Sequence, residues 1–248
     1  MTEIEHSPTR RAPSRRGREW LALFRASNLP TVWTNVAAAL VLAQAPSAPR
    51  VWGLFLLSLS ALYAGGACLN DFVDRDLDRR WRPDRPLPSG RVSPSAALSA
   101  AVSLLVVGVA LLAAAPSRAG LVPASLLAAV IVAYDLLHDR SPWAVYLMAS
   151  CRFLIFPTVA LAATARLPAA ALAGGLAQFG WVWLISRVAR AEKERERQFS
   201  YPVIPWMIAG ISLLDGLLLS VFATPAWFPL GLAGALLALG GQRFVRGD

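Results

Sequence analysis

Three aspartates carry the clearest chemical signal in this chain. The stretch Ala64-Gly65-Gly66-Ala67-Cys68-Leu69-Asn70-Asp71-Phe72-Val73-Asp74-Arg75-Asp76-Leu77-Asp78 sets Asp71, Asp74 and Asp78 at i, i+3 and i+7. On a helix these positions share one face and cover about 10 Å. They follow directly on an apolar run, so the carboxylates gather at a membrane boundary, where they repel one another and are costly to desolvate. A bound divalent cation removes both problems. Hard oxygen donors suit Mg2+, which keeps waters and binds substrate phosphates alongside one or two carboxylates. Asn70 adds an amide oxygen, and Gly65 and Gly66 let a neighbouring helix approach closely. The same residues also fit a solvated acidic helix end paired with Arg75, Arg79 and Arg80.

Other ionisable residues sit at comparable boundaries. Glu192 and Glu196 follow the apolar run 167–186 at one-turn spacing, and Tyr134-Asp135-Leu136-Leu137-His138-Asp139-Arg140 closes the run 119–134. Arg152 lies about ten residues inside an apolar stretch. A charge there costs at least a few kcal/mol unless it meets a cavity or a partner, which makes Arg152 a functional candidate. Asp215 is a candidate partner for it.

Membrane helices must position these groups. Of 248 residues, 56% are hydrophobic and 16% charged, where a soluble domain has nearer a quarter charged. Stretches free of Asp, Glu, Lys and Arg run 26–49, 51–69, 92–117, 119–134, 141–165 (interrupted by Arg152), 167–186, 198–214 and 216–242. A spanning helix needs about 20 apolar residues. The runs therefore predict an all-α polytopic membrane bundle of eight helices, or nine if the last run, which contains Pro229, divides. Residues 1–18, rich in arginine, are expected to be a disordered basic tail and 19–248 a single membrane domain. Trp20 to Phe24 reads as an interfacial helix. The two cysteines, Cys68 and Cys151, lie in apolar runs with no metal-type spacing, and they read as buried small hydrophobes.

The net charge of +9 in a soluble protein would suggest nucleic acid. Here the basic residues sort by loop. Twenty of the 24 fall in the tail and in alternate loops, three fall in the intervening loops (Arg50, Arg118 and Arg166), and Arg152 is within a run. The positive-inside rule then puts both termini in the cytoplasm, which requires an even number of spans. The catalytic chamber is expected near the cytoplasmic side of a bacterial cytoplasmic membrane.

The motif Asn70-Asp71-x-x-Asp74-x-x-x-Asp78 resembles the NDxxDxxxD signature of the UbiA superfamily of intramembrane prenyltransferases. The segment Arg82-Pro83-Asp84-Arg85-Pro86-Leu87-Pro88-Ser89-Gly90-Arg91 is similar to the RPxRPxPSGR stretch of the same superfamily. The resemblance implies Mg2+-dependent transfer of an isoprenoid chain from a prenyl diphosphate to an aromatic or other hydrophobic acceptor. It implies metal ligation by Asp71, Asp74 and Asp78, with Asn70, Arg82 and Arg85 at the substrate. The family has a DxxxD element where this chain has Glu192 and Glu196. Glutamate can ligate the metal with its carboxylate displaced by one methylene, and Glu192 is nearest the membrane. The pair also reads as a salt-bridged solvated helix end. Tyr134 and Arg140 fall where the family has a tyrosine and basic residues in a loop over the site. Asn28, next to Arg25 and ahead of Asn35, resembles an early Arg/Asn pattern, and Arg152 is expected to contact the diphosphate or the acceptor. The implied partners are the two substrates and the bilayer, with no nucleic acid and no obligate protein partner.

Two alternatives remain at this level. A transporter or channel also places charges in membrane helices, although no inverted repeat is visible. A catalytically impaired relative fits the altered second acidic motif. No P-loop, GxGxxG, GxSxG or HExxH element is present.

Overall fold

In hydrocarbon every backbone amide must bond within the chain, so apolar runs of membrane length become helices. The computed structural model describes residues 13–194 and 202–244, and these form ten α-helices and four 3-10 turns. A short helix α1, Pro13–Leu23, precedes α2, Leu29–Leu42. It begins inside the expected tail, whose residues 1–12 lie outside the described part. The long α3, Pro49–Val73, passes through a single turn at Asp74 into α4, Arg75–Trp81. Then come α5, Pro94–Leu111, α6, Leu121–Leu137, and α7, Ala144–Thr164. Last are α8, Ala169–Glu194, α9, Val203–Phe222, and α10, Phe228–Gln242.

Proline and side-chain caps set the helix starts. Pro49 and Pro94 occupy first-turn positions, and the Ser93 hydroxyl accepts the Ala96 amide at 3.2 Å. A proline there loses no helical hydrogen bond.

Among the described residues, six helices are long and apolar enough to cross a membrane: α3, α6 and α5 with their adjoining 3-10 turns, α7, α8 and α9. The other two apolar helices, α2 and α10, have 14 and 15 residues. The expected division between the last two runs is corrected. Asp215 had separated 198–214 from 216–242, whereas α9 continues straight through it. The chain turns instead at 223–227, and Pro229 falls in the first turn of α10 rather than at a kink. Asp215 does not interrupt the helix because it is fully buried and hydrogen-bonded to Asn35 and Gln178.

Helix α2 is the centre of the bundle. It packs against α3, α7, α8, α9 and α10, and Val36, Ala38, Ala39 and Leu40 are fully buried. Being enclosed, it can carry Thr31, Thr34 and Asn35, which all find partners. Glycines allow the closest crossings. A Cβ on Gly65 would lie 3.0 Å from the Ala101 carbonyl of α5, and one on Gly66 would lie 2.6 Å from Ile131 of α6. Both helices therefore press on α3 immediately before its aspartates.

Candidate active site

The acidic motif is built where α3 leaves the apolar zone. Asp71 is on its last helical turn, Asp74 on the junction and Asp78 on α4. The amides of Asp74 and Asp78 bond to the carbonyls of Asn70 and Asp74 at 2.9 and 2.8 Å, which keeps helical phase across the junction. Asp71 and Asp78 consequently face the same way and are buried, at 6% exposure each, while Asp76 points out.

Two arginines neutralise that face. Arg85, from the proline-rich loop after α4, places Nη1 at 2.8 Å from Asp78 Oδ2 and 3.4 Å from Asp71 Oδ1. Arg25, at the end of α1, donates through Nη2 to Asn70 Oδ1 at 2.7 Å and Asp71 Oδ1 at 3.1 Å. Its backbone is left-handed, with φ 45° and ψ 48°. That conformation costs roughly 1–2 kcal/mol outside glycine, and the two hydrogen bonds help to hold it. The loop is pinned as well, since Arg91 donates to the Asp84 carbonyl and pairs with Glu19 of α1 at 2.9 Å.

Asp74 turns toward a different partner. Its Oδ1 is 3.1 Å from Nε2 of His138, just beyond α6, and the same nitrogen is 3.6 Å from Asp139 Oδ2. The hydrogen bond to the Asp74 carboxylate raises the pKa of His138 above the usual histidine value, against burial, which lowers it. The Tyr134 ring packs 5.4 Å from the imidazole.

A cavity of ≈ 140 Å³ opens beside this motif. Arg25, Asn70, Tyr134 and Asp135 line its polar end, while Leu59, Leu62, Leu127 and Ile155 are among its apolar walls. Arg152 also lines it, donating to Asn35 Oδ1 at 2.8 Å and Thr31 Oγ1 at 2.9 Å, with its guanidinium 5.8 Å from the Tyr63 ring centre. Asn35 in turn donates to Asp215 at 2.7 Å, and Gln178 to the same carboxylate at 2.8 Å. Arg152 and Asp215 are therefore joined through Asn35 rather than in direct contact.

The structure thus brings together Asn70, Asp71 and Asp78, with Asp74, Tyr134 and Arg152 close by. Other expected residues are placed elsewhere. Arg82 and Arg140 are exposed, with no ion pair to the aspartates among the described residues. Asn28 accepts from Gln242 at the end of α10 at 3.3 Å, so it ties α10 to α2. Glu192 is part-buried near the end of α8, and Glu196 lies outside the described residues. Sequence reasoning gave too little weight to Arg25, Tyr63 and His138. Arg25 precedes the first apolar run and reads in the sequence as a basic residue of the tail and part of an early Arg/Asn pattern, with nothing to pair it with Asp71.

Carboxylates, an amide oxygen and arginines at one end of an apolar cavity can hold a metal-bound diphosphate ester with a hydrocarbon tail. A sequence model of the UbiA prenyltransferase family matches residues 31–246. The chain is 38% identical to a digeranylgeranylglyceryl phosphate synthase of Ignicoccus hospitalis over 92 residues, which are 37% of this chain and 29% of that one. It is 54% identical to the synthase of that name from Methanothrix thermoacetophila over 44 residues, 18% of this chain and 16% of that one. These matches span less than a third of the curated relatives' length. The fold is similar to a solved digeranylgeranylglyceryl phosphate synthase, with TM-score 0.63, 16% identity and coverage of 94% of this chain and 96% of that one. It is also similar to a UbiA homologue from Archaeoglobus fulgidus bound to GPP and Mg2+, with TM-score 0.62, 16% identity and coverage of 92% and 99%. The family model covers most of the chain and the fold is shared almost end to end, so the chain belongs to the UbiA prenyltransferase family.

Proposed function

We propose that this chain is a Mg2+-dependent membrane prenyltransferase that moves an isoprenoid chain from its diphosphate to a hydrophobic acceptor. The observation that carries the reading is the buried Asp71–Arg85–Asp78 bridge, joined by Arg25 and Asn70, at the polar end of an apolar cavity.

The residues present fit Mg2+. Asp71, Asp78 and Asn70 offer hard oxygen donors on one face. Nearby Asp135, 3% exposed, keeps Oδ2 buried without a hydrogen-bond partner. Asp71, Asp74 and Asp78 would hold the metal from α3 and α4, and Glu192 from the end of α8, with Glu196 as a further donor. Bound Mg2+ would supply neutralisation of the charge that develops on the leaving diphosphate. The chain's own residues do the rest. Arg25 and Arg85, already among the carboxylates, present guanidinium donors for phosphate oxygens. Tyr63, Tyr134 and the leucine walls hold the first isoprene units and exclude water from the allylic carbon as its bond to oxygen breaks. Arg152, held by Thr31 and Asn35, presents a fixed positive charge to a polar group of the acceptor. The rest of the prenyl tail would extend between helices toward lipid.

This reading uses eight spans with the chamber on the cytoplasmic side. The named relatives make a glyceryl phosphate lipid the first acceptor to try. The test incubates purified protein in nanodiscs with Mg2+, labelled prenyl diphosphates of stepped length, and either a glyceryl phosphate or an aromatic acid, and identifies the product by mass spectrometry. A prenylated product that needs Mg2+ is expected. Diphosphate bound but never transferred, with every acceptor and chain length, would overturn the reading.

A further inference from the structure

Asp215 is a buried carboxylate that the proposed reaction does not use. It lies within α9, has no exposed surface, and meets side chains from two other helices. Asn35 of α2 donates to its Oδ2 at 2.7 Å, and Gln178 of α8 donates to its Oδ1 at 2.8 Å. Asn35 Oδ1 in turn accepts from Nη1 of Arg152 on α7 at 2.8 Å. Four helices thus contribute one side chain each to a continuous line of hydrogen bonds that ends on the cavity wall at Arg152.

The direction of each link is fixed. A guanidinium only donates, so the Asn35 amide must turn its oxygen to Arg152 and its nitrogen to Asp215. Gln178 Nε2 donates to the Ile211 carbonyl at 2.9 Å as well as to Asp215. That amide cannot turn over without setting its oxygen against a carbonyl. Each Asp215 oxygen therefore faces an N–H donor, an arrangement that fits a carboxylate rather than a carboxylic acid.

Charges inside a bundle are ordinarily paired. Arg152 and Asp215 are opposite in sign, yet an amide stands between them. A direct pair would turn the guanidinium fork onto the carboxylate. The relay balances the charge and takes one donor, and Thr31 Oγ1 takes another at 2.9 Å. A guanidinium has N–H donors to spare after these two bonds, and Arg152 lines the cavity.

We propose that Asp215 is a positioning residue: through Asn35 it fixes Arg152 in the cavity wall and leaves that guanidinium able to pair with an anionic group of the acceptor. This role rests on the reading of Arg152 as a contact to the acceptor. Its physical basis is distance. A carboxylate touching Arg152 would compete with the acceptor's anion, and no carboxylate at all would leave an uncompensated buried charge. One intervening amide avoids both. The anion can be a carboxylate or a phosphate, since a guanidinium pairs with either.

The test moves the carboxylate as well as removing it. In Asp215→Asn the new amide must set an N–H group against the amide nitrogen of either Asn35 or Gln178. The double variant Asn35→Asp, Asp215→Asn restores a donor and an acceptor to every link and keeps both charges, with the carboxylate now against Arg152. Purified protein in nanodiscs receives Mg2+, a labelled prenyl diphosphate, and either a glyceryl phosphate or an aromatic acid, each beside a neutral counterpart without the phosphate or with the acid as its amide. The two arms tell phosphate from carboxylate. Asp215→Asn should raise KM for the anionic acceptor about tenfold or more, with KM for the prenyl diphosphate unchanged. The double variant should melt with the wild type yet keep the raised acceptor KM and lose the preference for anion over neutral counterpart. An unchanged acceptor KM in Asp215→Asn, or wild-type values in the double variant, overturns the proposal. If Asp215→Asn does not fold, the double variant decides. Wild-type transfer to the neutral acceptors alone overturns this role for Asp215 and leaves prenyl transfer standing. If the wild type transfers to no acceptor, that reading fails, and calorimetry with the two anions decides this one: tighter binding to the wild type than to the double variant supports it, and equal or no binding overturns it.

Discussion

Asp71 and Asp76 are five residues apart and differ in every property that metal binding requires. Asp71 is buried and contacts Arg25 and Arg85, while the Asp76 side chain is 66% exposed and pairs with Arg79 at 2.9 Å. Exposed pairs of that kind contribute little. Asp71→Asn keeps the shape and removes the charge, so it should lower Mg2+-dependent turnover by orders of magnitude while the protein still folds. Asp76→Asn should leave turnover within about twofold, because an exposed pair is worth under about 1 kcal/mol. Equal losses at the two positions would argue against a metal site on the shared face. Glu192 poses the matching question from α8. Glu192→Gln should lower turnover by orders of magnitude, whereas Glu192→Asp, which only moves the carboxylate by a methylene, should keep part of it. Full activity in Glu192→Gln would make Asp135 or Asp139 the better candidate for the opposing acidic wall. The sequence made Asp71 legible through spacing alone, because i and i+7 share a face whether or not the helix pauses at Asp74. It could not show that Asp74 turns to His138, since those two positions are 64 residues apart and only the packing of α6 on α3 brings them together.

Close helix crossings depend on single glycines. A Cβ added at Gly231 would sit 2.5 Å from the Ser212 carbonyl and 2.7 Å from the Gly216 Cα, both in the backbone of α9. Backbone cannot rotate aside, so Gly231→Ala should force α9 and α10 apart at a cost of about 1–3 kcal/mol. Gly180, on α8, has nothing within 4 Å of the same added atom. Gly180→Ala should be neutral or gain up to about 1 kcal/mol from helix propensity. Melting curves in one detergent compare the two variants, and similar melting would mean that α9 and α10 do not pack this closely. The α9–α10 pair is also where the sequence was hardest to read. Counting charge-free runs treats every carboxylate as a helix end, and that works at Asp71 because the chain does leave the apolar zone there. At Asp215 it fails, because Asn35 and Gln178 satisfy the carboxylate inside the bundle. Hydropathy measures whether a group is polar, but not whether it has a partner 180 residues away.

The whole molecule has two unlike ends. One gathers Arg25 with Asp71, Arg85 with Asp78, His138 with Asp74, and Gln242 with Asn28. The other brings Trp52 and Trp227 together with ring centres 6.5 Å apart, and sets the Ser117 amide 2.8 Å from the Ala162 carbonyl. Helix α10 runs between these layers, from beside Trp227 to Gln242. At 15 residues it reaches only about 23 Å, short of a hydrocarbon core of about 30 Å. Local thinning and flanking polar residues can absorb that mismatch. If α10 crosses, the positive-inside rule predicts that the first end is cytoplasmic, since twenty of the 24 basic residues of the sequence fall in the tail and in alternate loops between the apolar runs. Single cysteines on a Cys68→Ala, Cys151→Ala background test this with a membrane-impermeant maleimide. Ser47, exposed between α2 and α3, should label from outside intact cells, and Ser89, exposed in the loop after α4, only after permeabilisation. Arg243→Cys, exposed just past α10, then reads the number of spans. Labelling with the Ser89 pattern means that α10 crosses and the bundle has an even number of spans. The Ser47 pattern at Arg243→Cys would mean that α10 turns back within the membrane, and a reversed pattern at Ser47 and Ser89 would place the acidic site on the outer face.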